Sequence, residues 1–108
     1  MLILYVSAAA SAKAIGTPAV PDTVTATGGT GKITLLCTES TGATQYNIYR
    51  YNGTKKEYVY NGTAYSTIYT DTSVAAGTTY YYKVVPVTKS AGLTLVGAYS
   101  ASVSAKAK

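Results

Sequence analysis

The sequence predicts an all-β fold, a single antiparallel sandwich of seven strands. Its 108 residues suit one domain. Val, Ile, Thr and Tyr are abundant, and twelve Tyr stand beside no Phe and no Trp. Aromatic and β-branched side chains suit a pleated, half-buried surface. From Val20 onward, short alternating runs are separated by Gly-rich turns and no long window keeps a helical period, which is the pattern of a sandwich.

Each strand is bounded by turn residues. The first strand ends at the Gly-rich segment 28–31, and Ser40-Thr41-Gly42 turns the chain after the second. Asn52-Gly53 and Asn61-Gly62 predict two further turns, because both residue types tolerate positive φ. The predicted strands are Val20–Thr27, Lys32–Glu39, Ala43–Tyr51, Lys56–Tyr60, Tyr65–Thr70, Thr78–Thr88 and Leu95–Lys106.

The segment Val74–Val87 resembles the fibronectin type III signature, with a Gly-Thr turn followed by Tyr and alternating apolar residues. The resemblance covers residues 17–108 and is closest to bacterial extracellular members; Tyr69-Thr70-Asp71-Thr72 and Tyr99-Ser100 also match. It implies an immunoglobulin-like sandwich and says little about function. The residues that carry it are Tyr46 and Ile48 in the third strand, Tyr80 at the position of the corner tyrosine, and Tyr82 and Val84 on the inward face.

One position departs from that family. A Trp is usual in the second strand where this chain has Cys37. The missing volume must be filled, since an unfilled cavity costs several kcal/mol. Extra Tyr side chains, or a group from outside the domain, are the two ways to fill it.

Composition argues against an enzyme. There is no His, and the four acids, Asp22, Glu39, Glu57 and Asp71, are far apart in sequence. Cys37 is the single cysteine and is interpreted as a small buried residue. We therefore expect no catalytic residues, no metal site and no cofactor.

The net charge of +5 does not indicate nucleic-acid binding. Only Lys55 and Lys56 are adjacent, and phosphate recognition requires clustered basic residues. The scattered lysines, including Lys83, indicate a solvated surface.

Residues 1–16 form an N-terminal arm whose sequence resembles that of the predicted last strand. Without gaps, residues 1–15 align with residues 94–108 and share seven identities. A repeat of about one domain length has two explanations. The arm is either the tail of a preceding tandem domain or a strand donated to a neighbouring copy, and residues 17–108 form the domain proper. A signal-peptide remnant is the third alternative, although the segment has no basic start. The apolar run of the arm is too short for a transmembrane helix.

Both strand explanations need a partner, because an isolated strand leaves its backbone groups unpaired. Apolar contacts must offset the entropy of ordering the arm. The predicted assembly residues are Leu2, Ile3, Leu4, Tyr5, Val6, Ala8 and Ala10. The space beside Cys37 is one candidate for the acceptor slot. An arm and a slot at different places do not close on themselves, so donation predicts a filament.

Two surface features remain. Asn52-Gly53-Thr54 and Asn61-Gly62-Thr63 fit the acceptor pattern for N-linked glycosylation, but their turn role is favoured over attached sugar. Tyr49, Tyr51, Tyr58 and Tyr60 can face outward and stack on sugar rings; cross-strand pairing is the favoured interpretation.

The sequence leaves three classes of function to distinguish. The preferred hypothesis is a non-enzymatic subunit of an extracellular or cell-surface filament, whose partners are copies of itself and also glycans. The alternative is a spacer, carbohydrate-binding or adhesion module of a secreted multidomain bacterial protein. An enzyme is disfavoured by the absence of His.

Overall fold

The computed structural model describes residues 17–108, which form eight β-strands. The N-terminal strand extension, the domain boundary at residue 16 and the seven predicted assembly residues lie outside the described residues. The strands are β1 (Val24–Gly29), β2 (Lys32–Cys37), β3 (Gln45–Asn52), β4 (Glu57–Ala64), β5 (Ile68–Asp71), β6 (Thr79–Ser90), β7 (Leu93–Val96) and β8 (Val103–Lys106).

The strands form two antiparallel sheets. One sheet has the order β1-β2-β5, and the other has the order β4-β3-β6-β7, with β8 also paired to β6. The predicted all-β sandwich is therefore confirmed. In the part of the chain that the structure describes, no helix is long and apolar enough to cross a membrane.

The core lies between the sheets and follows the alternation of the strands. Ile33 and Leu35 in β2, and Tyr46 and Ile48 in β3, are buried at every second position, because successive side chains point to opposite faces. The central cluster consists of Ile33, Leu35, Tyr46, Ile48, Tyr82, Val84 and Ala107.

The predicted last strand, Leu95–Lys106, is divided into β7 and β8. Between them, Ser100 pairs with β6 through both backbone and side chain. Its N–H donates to the Val84 carbonyl at 2.8 Å, and its hydroxyl accepts from the Val84 N–H at 2.8 Å. This hydroxyl replaces a ladder bond, which interrupts the strand and makes the count eight instead of seven.

Asn61-Gly62 was wrongly predicted as a turn, since β4 continues through it. The register passes from Ile48 opposite Gly62 to Tyr49 opposite Tyr60, so Asn61 is the extra residue of a β-bulge. Its side-chain N–H donates to the Tyr69 hydroxyl at 3.0 Å, and a Cβ on Gly62 would collide with that hydroxyl.

The prediction of a turn at Asn52-Gly53 is correct, although the mechanism differs. The Asn52 side-chain oxygen accepts from the N–H groups of Thr54 and Lys55, and the residue with positive φ is Lys56. The side chain of Asn52 therefore stabilises the turn.

The space left by the missing Trp is almost closed. Cys37 is half-buried, and burial raises the pKa of its thiol. The remaining cleft measures about 10 Å³ and is lined by Tyr46, Ile48 and Tyr69, among others. That volume is near the minimum for one water molecule, so in this conformation it does not admit the side chain of a docking strand.

The last strand approaches β1 closely at Gly28. A Cβ on Gly28 would collide with the backbone carbonyl of Lys106. Just beyond, the Lys108 N–H donates to the Gly29 carbonyl at 3.0 Å, and the Gly31 N–H donates to the Lys108 carbonyl at 3.1 Å. The end of the chain thus closes one side of the sandwich.

We predict that Gly28→Ala lowers the free energy of unfolding by about 3 kcal/mol, because the obstructing atom is backbone and the strands must separate. The matched control is Gly53→Ala, where the added methyl group meets open space and a change within about 0.5 kcal/mol is expected. Urea unfolding measures both, and equal stability of the two variants would contradict the close approach.

Candidate functional site

Six of the twelve tyrosines come together on the outer side of the larger sheet. Because Ile48 and Tyr82 are buried, their neighbours along β3 and β6 point outward. In β4, Tyr60 and Tyr58 lie directly opposite Tyr49 and Tyr51. We call this surface the tyrosine face; it comprises Tyr49, Tyr51, Tyr58, Tyr60, Tyr81 and Tyr99.

Three pairs of these rings pack edge to face. Ring centroids are 5.9 Å apart for Tyr49 and Tyr60, 5.2 Å for Tyr49 and Tyr99, and 5.3 Å for Tyr51 and Tyr58. The geometry is the favourable one for aromatic pairs. The cross-strand pairing favoured from sequence is therefore present for all four tyrosines named there.

Lys83 is half-buried among these rings. Its Nζ lies 4.6 Å from the ring centroid of Tyr58 and 5.2 Å from that of Tyr99, within cation–π range. The expected outer position of Lys83 is correct, but the side chain packs on aromatic rings. Tyr81, Tyr99 and Lys83 were not assigned to the face from sequence. Tyr99 lies outside the strands and joins the face only through its tertiary contacts.

Two clefts lie near this end of the larger sheet, the larger on its inward side and the smaller on the tyrosine face, and Tyr51 is in the lining of both. The larger measures about 300 Å³ and is lined by Arg50, Tyr51, Asn52, Val59, Tyr60, Asn61 and Tyr80. The smaller measures about 250 Å³ and is lined by Tyr51, Tyr58 and Tyr81. Neither lining contains a carboxylate.

The residues that carried the family resemblance occupy the core and its margins. Tyr46 is buried, and its hydroxyl accepts from the Ser40 N–H at 2.8 Å. The Tyr80 hydroxyl accepts from the Ala75 N–H at 2.8 Å, across the turn that precedes β6. Ile48, Tyr82 and Val84 are each at most 2 % exposed.

A buried carboxylate, missed from sequence, connects the strands behind the tyrosine face. Asp71 is 2 % exposed. One carboxylate oxygen accepts from Arg50 Nη1 at 2.9 Å and from the Tyr82 hydroxyl at 2.7 Å. The other accepts from the N–H and hydroxyl of Ser73. The Arg50 guanidinium also lies 4.8 Å from the ring centroid of Tyr80.

These contacts set the ionisation of the pair Asp71 and Tyr82. Burial by itself would raise the pKa of Asp71, but hydrogen bonds from Tyr82, Ser73 and Arg50 outweigh it, so the pKa is lowered. Burial, together with the hydrogen bond to Asp71, raises the pKa of Tyr82 well above its ordinary value. The carboxylate therefore stays charged and the phenol stays neutral over the physiological range.

The two candidate glycosylation asparagines have different surroundings. Asn52 belongs to an exposed hairpin turn. Asn61 is in a strand, and its side-chain nitrogen is bonded to Tyr69. Attachment of sugar to either one stays a prediction. Within residues 17–108, no group of three or more metal-ligating side chains is found.

We predict that Asp71→Asn lowers the free energy of unfolding at pH 7 by about 2–3 kcal/mol, since Arg50 loses its partner. The folded pKa of Asp71 is below its unfolded value of about 3.9, so its stabilisation is present above about pH 4 and is lost as pH falls through the folded pKa.

Urea unfolding between pH 2 and pH 7 measures this difference, with the exposed Asp22→Asn as the control. The gap between the wild-type chain and Asp71→Asn should shrink in acid, whereas Asp22→Asn should track the wild type. A gap that stays constant with pH would contradict the role of the carboxylate.

Comparison with known proteins gives the family. No family model matches the sequence, and no curated protein matches it. Among solved structures, an Fn3-like protein from Clostridium thermocellum is 32 % identical, with 86 % of this chain and 96 % of that chain covered and a TM-score of 0.69. FN3tt is 18 % identical, covering 86 % and 97 %, at a TM-score of 0.71. A structure of titin kinase and its flanking domains is 19 % identical, covering 82 % and 16 %, at 0.66. On the identity and coverage of the clostridial structure, the chain belongs to the fibronectin type III-like family.

Proposed function

We propose that this chain is a non-enzymatic structural module of an extracellular or cell-surface protein, joined end to end with sandwiches of its own kind. In this proposal, residues 1–14 supply the last strand of the neighbouring sandwich. The observation that supports it most is that residues 1–14 repeat the residues that the last strand of the described domain requires at its most constrained positions.

The repeated residues fall where the last strand is most constrained. Ser7 corresponds to Ser100, whose hydroxyl bonds the Val84 N–H. Ala14 corresponds to Ala107, which is 1 % exposed in the core. A larger residue at Ala107 has no room, and a residue without a hydroxyl at Ser100 leaves the buried Val84 N–H without this acceptor.

The remaining identities follow the same strand. Ala12 corresponds to the half-buried Ala105, and Lys13 corresponds to the exposed Lys106. The other eight positions differ, and one of them is unfavourable: Leu4 stands where the chain has Gly97, at which a Cβ would meet the Pro18 carbonyl at 2.7 Å. The match is therefore better for the β8 half of the strand than for the β7 half.

The ends of the described chain suit an end-to-end arrangement. Pro18 lies against Gly97 and close to Pro86, near the far part of β6. Ala107 exchanges backbone hydrogen bonds with Thr78 and Gly77, at the start of β6. Thr78 and Pro86 are eight residues apart, at about 3.3 Å per residue of strand, so the described chain enters and leaves at opposite ends.

A neighbour within the same chain is favoured over a separate copy. The last-strand position is already occupied by residues 93–108, which are covalently attached. An arm from another copy must displace them, against an effective concentration on the order of millimolar. We therefore propose the spacer arrangement first, and the head-to-tail filament as the form that requires strand exchange.

The first experiment asks whether residues 1–15 can act as a last strand. In a fused chain, residues 17–93 are followed directly by residues 1–108, so that the arm replaces residues 94–108 of the upstream sandwich. We predict two folded domains, with slow amide exchange in both copies of β6. Leu4→Gly should stabilise the upstream copy further, because it restores the glycine of position 97.

Two matched variants make this test specific. Ala14→Arg should unfold the upstream copy alone, because it places a charged side chain in the position of the buried Ala107. Lys13→Arg, at the exposed counterpart of Lys106, should leave both copies folded. If the upstream copy exchanges freely in the fused chain and in the Leu4→Gly form, the proposed role of residues 1–14 is wrong.

A second experiment separates the two arrangements. Sedimentation of the 108-residue chain should give a monomer under the spacer arrangement. Polymers that are lost on removal of residues 1–14 or in Ala14→Arg, but kept in Lys13→Arg, would instead establish the filament.

A further inference from the structure

The tyrosine face exposes more aromatic surface than ring pairing requires. Tyr51, Tyr60, Tyr81 and Tyr99 remain 40 %, 54 %, 48 % and 50 % exposed. Exposed aromatic patches of this kind mark interaction sites more often than isolated apolar residues do. The partner must then be one whose chemistry suits phenol rings.

The larger cleft does not share a face with these rings. Arg50, Val59 and Tyr80 of its lining lie on the inward side of the larger sheet, as Tyr82 does. Lys83 and the lining of the smaller cleft, Tyr51, Tyr58 and Tyr81, lie on the outward side, so a short ligand that contacts Lys83 occupies the smaller cleft.

The charged side chain in contact with the tyrosine face is the cation of Lys83. Lys83 contacts Tyr58, which lines the smaller cleft, and no carboxylate lines either cleft. Asp71 is already neutralised by Arg50. A ligand that carries carboxylates is therefore complementary, since charge-assisted hydrogen bonds to Lys and Arg are the stronger kind.

We infer that the smaller cleft, lined by Tyr51, Tyr58 and Tyr81, binds a short acidic oligosaccharide. A pyranose ring packs its C–H face on Tyr51, and a uronate carboxylate binds Lys83. The cleft volume of about 250 Å³ lies just below the usual range for small-ligand sites, which fits one or two sugar rings.

A single-stranded nucleic acid is disfavoured. Aromatic stacking would suit bases, but such proteins also follow the backbone with a continuous basic groove. Here the cations that line a cleft or contact the face are Arg50 and Lys83, within the described residues.

The test uses the full 108-residue chain, labelled for two-dimensional NMR, with trigalacturonate as the probe. The expected result is saturable shifts at Tyr51, Tyr81 and Lys83. The fully methyl-esterified trimer, which has the same rings without charge, should bind at least about tenfold more weakly, equivalent to about 1.4 kcal/mol.

Four variants locate the site. Tyr51→Ala should weaken binding at least about tenfold, Tyr51→Phe should keep most of it, and Lys83→Gln should abolish the preference for the acid over the ester. Tyr65→Ala removes a tyrosine that is 78 % exposed but lines neither cleft, so binding should be unchanged. Arg50 is left intact, because Asp71 depends on it.

The inference is overturned if no saturable shifts occur, if acid and ester bind equally, or if Tyr65→Ala weakens binding as much as Tyr51→Ala. Tighter binding of a thymidine hexanucleotide than of trigalacturonate would also overturn it. None of these outcomes bears on residues 1–14, so the two proposals stand or fall separately.

Discussion

The carboxylate of Asp71 is the contact on which the rest of the sandwich depends. It belongs to the last residue of β5 in the smaller sheet and binds Arg50 of β3 and Tyr82 of β6 in the larger sheet, so one buried charge joins the two layers. A buried charge is tolerated only when it is fully paired, which requires Arg50 and Tyr82 to point inward. Alternation along the strands then sends Tyr51 and Lys83 outward. The tyrosine face is thus a geometric consequence of the network behind it.

A second constraint is the size limit on the last strand. β8 pairs with β6, and the residues after it bond the turn between β1 and β2, so this segment closes the sandwich between both sheets. Gly28 and the buried Ala107 show how little space is left there. Only small side chains satisfy this limit, and Ser100 must also supply a hydroxyl. The Ala- and Ser-rich composition of the repeated segment has a physical cause here, which is why the repeat is informative despite that bias.

Local sequence signals were sufficient for the fold and insufficient for the site. Alternation and turn residues predicted the sandwich, because each strand buries one face and each turn has local chemistry. The same reasoning failed at Asn61-Gly62, because a β-bulge and a turn favour the same residue types. The contact with Tyr69, in the next strand, is what accompanies the bulge here, and the local sequence does not reveal that contact. It also missed the division of the last strand at Ser100, since a hydroxyl that replaces a ladder bond has no periodic signal. The pairing of Tyr49 with Tyr60 could be inferred from neighbouring strands, but the place of Tyr99 and Lys83 depends on tertiary packing.

The two proposals meet at the last strand, because part of the tyrosine face comes from it. Tyr99 packs on Tyr49 and Lys83, and the Ser102 hydroxyl bonds the Tyr58 hydroxyl at 2.6 Å. The repeat places Val6 at the position of Tyr99 and Ala9 at that of Ser102. A sandwich completed by residues 1–14 would therefore keep the core contacts of Ser100 and Ala107 while losing one ring and one hydroxyl from its outer face. The buried side of such a strand is fixed by packing, whereas its exposed side is free to vary. Successive modules in an array would therefore share one fold and differ in how strongly the aromatic rings bind the lysine side chain.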